Sequence, residues 1–169
     1  MNLKATAENE NPYLGTSVID HGIQRGLAVC HTLHLSVGRE LIGAAVDRQG
    51  FKAVPTAQLL DENTVSFEGD TIKYLKRFEF DHHSMTQSVI IRHGEESIVY
   101  TKGSPESINK LCVPSSLPPN FEEKARQSAR DGIYQLAIAT STFASNKSMN
   151  EVTREDVEKV ICIIVHVIM

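Results

Sequence analysis

The segment Tyr100-Thr101-Lys102-Gly103-Ser104-Pro105-Glu106 sets a lysine at a strand end, then a glycine, then a helix start. Glycine lets a ligand approach the backbone closely, and a helix N-terminus favours negative charge. The lysine adds a compact cation suited to a phosphate or to the edge of a purine. On the residues alone a plain strand-to-helix turn with a solvated lysine is the simpler account. A second group is Phe78-Glu79-Phe80-Asp81-His82-His83. Strand alternation puts Phe78 and Phe80 on one face, where a ring could stack on a base, although core packing explains two phenylalanines more simply.

Other chemistries find less support. No G-x-x-x-x-G-K-[ST] loop and no G-x-G-x-x-G turn occurs, so neither usual phosphate cradle is present. His82-His83 with His93, and Cys30-His31 with His34, are residue types that zinc accepts, but they lack a recognised ligand spacing. Without a G-x-S-x-G elbow, Ser-His-Asp catalysis has no anchor. The net charge of -4 argues against a nucleic-acid partner, which calls for a basic excess.

The elements that must carry these residues follow from pattern. Residues 1–17 are polar and aperiodic and are expected to form a loose arm, leaving 18–169 as one domain. Apolar residues at helical spacing predict a helix over 19–35, and a second is expected from Gly43 to the stop at Pro55. Residues 64–68, 72–80, 88–93 and 97–102 are rich in β-branched and aromatic types and read as strands. Turns are expected at Glu68-Gly69-Asp70 and His93-Gly94-Glu95.

Ser104 with Pro105 marks a helix running to Leu111, and Asn120 is expected to cap another that ends at Gly132. A strand over 133–141, a loop over 142–150, a short turn capped by Thr153 and Asp156, and a final buried strand complete the reading. The class is α+β, mostly antiparallel, with helices flanking the sheet. The three cysteines, Cys30, Cys112 and Cys162, stand far apart among apolar neighbours, as buried thiols of a reducing compartment do. The terminal apolar run is about half of the ~20 residues that a membrane-spanning helix requires.

Order and spacing together resemble the nucleotide-binding domain of P-type ATPases. Phe78-Glu79-Phe80 followed by Ser88-Val89-Ile90 looks like that family's F-x-F…M-S-V strand pair, and Lys102-Gly103-Ser104-Pro105-Glu106 like its K-G-[AS]-P-E motif. Leu111-Cys112, Pro114, Pro118, Phe121, Gly132 and Leu136-Ala137-Ile138-Ala139 are similar to the stretch that follows. Upstream, Ala28-Val29-Cys30-His31-Thr32-Leu33 and Leu41-Ile42-Gly43 with Asp47 resemble two further elements. The resemblance runs from about residue 20 to the C-terminus and is strongest to the fifth class, in the branch that holds lysosomal polyamine and cation transporters.

That resemblance implies an antiparallel sheet flanked by helices, carried on the cytosolic face of a membrane pump. ATP's adenine would stack on Phe80, with Lys102 lining the pocket, Gly103 leaving room, and Asp47 at the acidic position; His82 and Met85 complete the implied nucleotide site. The phosphates, with Mg2+, would face the phosphorylation and actuator domains of the parent enzyme. The phosphorylated aspartate of a D-K-T-G-T sequence is absent from this chain, so the implied role is to hold nucleotide without hydrolysing it. Departures stand at Thr86 and Gln87, where the family has arginine and methionine, at Tyr134, where it has arginine, and at Gly43-Ala44-Ala45, which lacks an acidic residue. They leave an alternative: the same fold kept as a regulatory or interaction module without ATP.

Overall fold

In the computed structural model, residues 17–159 and 163–168 are described. The expected arm, Ser17 apart, and Cys162 fall outside that range. Helix α1 (Ser17–Val29) leads into β1 (His34–Leu35) and β2 (Leu41–Ile42), a small antiparallel pair, and then α2 (Ala45–Lys52). The sheet follows as β3 (Ala57–Asp61), β4 (Thr64–Phe67), β5 (Asp70–Asp81), β6 (Thr86–His93) and β7 (Glu96–Gly103). Helices α3 (Pro105–Leu111) and α4 (Phe121–Arg130) separate β7 from β8 (Gln135–Thr142), and α5 (Arg154–Val157) precedes β9 (Ile163–Ile168).

Strands β3 to β9 form a seven-stranded sheet in sequence order, with every neighbouring pair antiparallel. The fold is α+β, as the sequence pattern predicts. Local chemistry drives the meander. Glu68 and Gly69 take φ of 53° and 90° between the paired residues Phe67 and Asp70, the doubly positive turn that matches strand twist. Between His93 and Glu96 only the first turn residue, Gly94, takes a positive φ, at 59°, a position that glycine occupies without strain.

Each sheet face has its own cover. On one, α1 and α2 bury Leu27, Val29 and Phe51 against Ile72, Val89, Ile91, Tyr100 and Ile138. On the other, α3 and α4 pack Ile108 and Phe121 against Ala137 and Ala139, while Val152 and Val157 cover Ile90 and Val99. Each aliphatic side chain so buried contributes about 1.5–3 kcal/mol.

Three expectations change. The first helix stops at Val29 rather than Leu35 because side chains satisfy the next amides: Asp47 Oδ2 accepts from Thr32 N at 3.2 Å and His31 Nδ1 from Leu33 N at 3.1 Å. Residues 28–31 and Leu33 are thereby laid flat under the sheet and buried. Asn120 occupies the N-cap position of α4 but takes φ 59° and makes no capping bond through its side chain. Ser104, by contrast, accepts from Ser107 N at 3.1 Å as expected.

The third change concerns the aromatic strand. Phe78 pairs with Ser88 and Asp81 with Thr86, so β5 carries an extra residue where Glu79 and Phe80 both stand opposite Gln87. That bulge resets the alternation. Phe78 joins the cluster with Ile90, Val99 and Val152, whereas Phe80 falls on the face of Gln87 with 43% of its surface exposed. The two phenylalanines therefore do not share a face.

Candidate functional site

Lys102 sits at the end of β7 directly opposite Gln87 on β6, and Gln87 in turn opposes the bulge at Phe80. Three adjacent strands thus set Phe80, Gln87 and Lys102 in a row on the face covered by α1 and α2. The row exists because of the bulge. Without it Phe80 would lie with Phe78 on the far side.

Lys102 is 6% exposed, and its ammonium points inward. It donates to the Cys30 carbonyl at 2.7 Å and to Asp47 Oδ1, forming a buried ion pair. Asp47 is 4% exposed, and its other oxygen holds the Thr32 amide. A charge pair removed from water is stable only when such extra bonds occupy the remaining lone pairs and protons. Around it, burial pushes the Cys30 thiol up to about 12 against the pull of Lys102. Burial, and after it the charge of Lys102, lower His31 to about 3. His31 is accordingly neutral, with Nδ1 accepting from Leu33 N and Nε2 donating to the Ala28 carbonyl at 3.0 Å.

Two side chains on this sheet face carry donors that nothing in the described residues takes up. Gln87 is 3% exposed and its Nε2 lacks a partner; Arg77, whose guanidinium lies 3.8 Å over the Tyr74 ring, has Nε and Nη2 buried and unpartnered. Arg77 pairs with Val89, two residues from Gln87, and so shares its face. Buried donors left open cost about 1–3 kcal/mol each, which makes them candidate ligand contacts.

The other expected site residues take different places. Met85 and His82 lie in the turn that joins β5 to β6, where the Asp81 carboxylate accepts from His83 N, Ser84 N and Ser84 Oγ. These bonds hold the Asp81 carboxyl below its usual range. Met85 is 43% exposed, and the His82 ring meets Phe80 edge-on at 5.1 Å. Gly103 is demanded by the chain itself: a Cβ there would lie 2.5 Å from the Met85 carbonyl oxygen. Tyr134, exposed, stands just before β8 at the same end of the sheet, since Ala137 pairs with Gly103.

Thr86 faces away from this row. Its hydroxyl bonds Ser84 Oγ at 2.7 Å and the Glu158 carboxylate at 3.2 Å on the opposite face. The departure at Thr86 is thus built into a buried network with Ser88, Thr101, Arg154 and Glu158. Sequence reasoning missed Arg77 and Arg154 altogether. Arg77 is flanked by register shifts that hide its face, and Arg154 reads as an ordinary residue of a short capped turn. Among the described residues, no group of three or more histidines, cysteines, aspartates or glutamates is placed to hold a metal, and no helix is long and apolar enough to cross a membrane.

No family profile matches the chain. Individual relatives do. It is 34% identical over 126 residues to the probable cation-transporting ATPase 13A4 of Gallus gallus, which aligns with 74% of this chain and 10% of that protein. It is 30% identical over 115 residues to the probable manganese-transporting ATPase PDR2 of Arabidopsis thaliana, covering 67% of this chain and 10% of that one. The polyamine-transporting ATPase 13A2 of Homo sapiens is 28% identical over 109 residues, with 62% and 9% covered. The chain, spanning about a tenth of the length of these relatives, belongs to the P-type ATPases, among homologues named as cation- and polyamine-transporting enzymes.

Proposed function

We propose that this chain is the nucleotide-holding domain of a cation- or polyamine-transporting P-type ATPase that sits on the cytosolic face of its membrane. The observation that carries the reading is the row of Phe80, Gln87 and Lys102 on one sheet face: a half-exposed ring beside a buried, unsatisfied amide and a fixed ion pair. Adenine stacks on Phe80 with its edge toward the Gln87 amide. Lys102 and Asp47 form the polar floor, held rigid by Cys30 and Thr32. Placement of this kind orients a ligand without reacting with it.

His82 and Met85 line the mouth, and Gly103 keeps the turn tight beside it. The phosphates, carrying Mg2+, project past Tyr134 toward the phosphorylation and actuator domains of the parent enzyme, which supply the phosphorylated aspartate. Since an uncharged phenol stands at Tyr134, the adenine end contributes more of the binding than the phosphate end.

ATP titration of the chain, followed by amide NMR, tests this. Shifts clustered at Phe80, Gln87 and Lys102 are expected, with adenosine competing and tripolyphosphate failing to compete. Phe80→Ala should weaken binding by about tenfold, since a base stacked on an aromatic ring is worth about 1–3 kcal/mol. An unchanged spectrum at millimolar ATP overturns the reading.

A further inference from the structure

We infer that Arg154 is a positioning residue for Phe80, its guanidinium gripping from the far side of the sheet the bulge that turns the ring toward Lys102. Arg154 opens α5, which a reciprocal capping box between Thr153 and Asp156 holds in place. Its Nη2 donates to the Glu79 carbonyl inside the bulge, and its Nη1 to the Thr86 carbonyl on β6 at 3.3 Å. One planar group therefore ties both strands together where their register slips.

The guanidinium is itself fixed. Glu158, four residues on, takes Nη1 at 2.8 Å and is held by Ser88 Oγ at 2.6 Å and Thr86 Oγ1 at 3.2 Å. The Phe78 ring lies 5.7 Å from the guanidinium carbon. These side chains are mostly buried, at 23% exposure for Arg154 and 8% for Glu158. A bulge leaves one residue outside the ladder, so the Glu79 carbonyl needs a donor from elsewhere. Only a rigid fork with several N–H groups reaches two diverging carbonyls and a carboxylate at once; a lysine presents a single point. Nearby, Lys76 Nζ fastens the 149–152 backbone by donating to Met149 O and Val152 O, each at 2.7 Å. The ring's orientation is thus set by a side chain on the opposite face.

The functional half of this inference rests on the nucleotide reading of the Phe80 site; the structural half does not. The test compares the whole chain with Arg154→Lys, Arg154→Gln, Phe80→Ala and the Arg154→Lys/Phe80→Ala pair. Without ligand, cross-strand NOEs between Asp81 and Thr86 and the Phe80 ring resonances report the bulge. Both Arg154 variants should lose those contacts and shift the ring signals, and Arg154→Lys should lower ATP affinity by about tenfold, as expected for a charge-assisted bond worth about 1.5–3 kcal/mol. In the Phe80→Ala background that fall should vanish, because coupled residues are not additive. Arg154 variants that keep the NOEs and ring shifts overturn the inference, and so does an equal loss of affinity with and without Phe80. Should a variant fail to fold, Glu158→Gln decides: it leaves Arg154 both carbonyls and should retain the bulge, and a bulge lost there assigns the effect to the network rather than to Arg154. If the unaltered chain shows no ATP binding, the nucleotide reading fails while the NOEs still judge Arg154.

Discussion

Lys102 and Asp47, 55 residues apart in the chain, close a buried ion pair in which the ammonium also reaches the Cys30 carbonyl and the carboxylate also holds the Thr32 amide. The pair pins the segment after α1 and the start of α2 to the end of β7. It is structure and candidate site at once. Removing either partner leaves an unpaired charge in the interior, so Lys102→Met or Asp47→Asn alone should cost about 3–5 kcal/mol of stability. The double variant should cost less than the sum of the two. Urea denaturation of the three proteins checks this; strict additivity would show that the charges do not interact.

Gln87 gives a sharper discrimination between stability and binding. Its buried Nε2 has no partner among the described residues, and methionine matches the side chain in length without the polar group. Gln87→Met should raise ligand-free stability by about 1–3 kcal/mol, the cost of an unsatisfied buried group. The same change should weaken ATP if the amide meets the purine edge. Thermal unfolding and calorimetric titration of one variant read both effects, and a stabilised protein with unaltered affinity would remove Gln87 from the site.

Gly103 should tolerate no side chain. The atom in its way is the Met85 carbonyl oxygen, part of the backbone, so relief requires the turn between β5 and β6 to move. Gly103→Ala should cost about 1–3 kcal/mol, as overpacking does, and should shift the amide signals of residues 82–86. A variant with unchanged melting temperature and unchanged turn signals would contradict the close approach.

Acid should weaken the fold through His31. Burial lowers its pKa to about 3 from an ordinary value of 6.5, so the folded state holds the ring neutral while the unfolded chain takes up a proton. Stability from this residue is complete above pH 6.5 and declines as pH falls from 6.5 toward 3. The loss approaches about 1.4 kcal/mol per pH unit, or about 2 kcal/mol at pH 5. Denaturation at pH 7 and pH 5 should show that difference shrinking in His31→Phe; an equal acid sensitivity in both proteins would place its origin in other groups.

Much of the frame is written locally. The two-residue turns at Gly69 and Gly94, the β-branched strands between them, and the Ser104-Pro105 helix start depend on neighbours a few residues away, and each forms where the pattern predicts. The motif around Lys102 is equally visible, because a strand end, a glycine and a capped helix follow one another in the chain.

What no local pattern could disclose is where those residues meet. Alternation assigns Phe78 and Phe80 to the same face; one extra residue in the pairing with β6 reverses Phe80, and register is a property of two strands together. The helical period of residues 19–35 likewise runs past Val29, yet Asp47 and His31 capture the amides that would have continued the helix. The sequence by itself determined strands β4 to β9, the turns at Gly69 and Gly94 and the Lys102 motif, but not β1, β2 or β3. The tertiary structure alone decided that Lys102 lies buried against Asp47, that Gln87 stands between it and Phe80, and that Arg154 on the opposite face bonds the Glu79 carbonyl within the bulge, because each of these relations joins segments whose separation only folding removes.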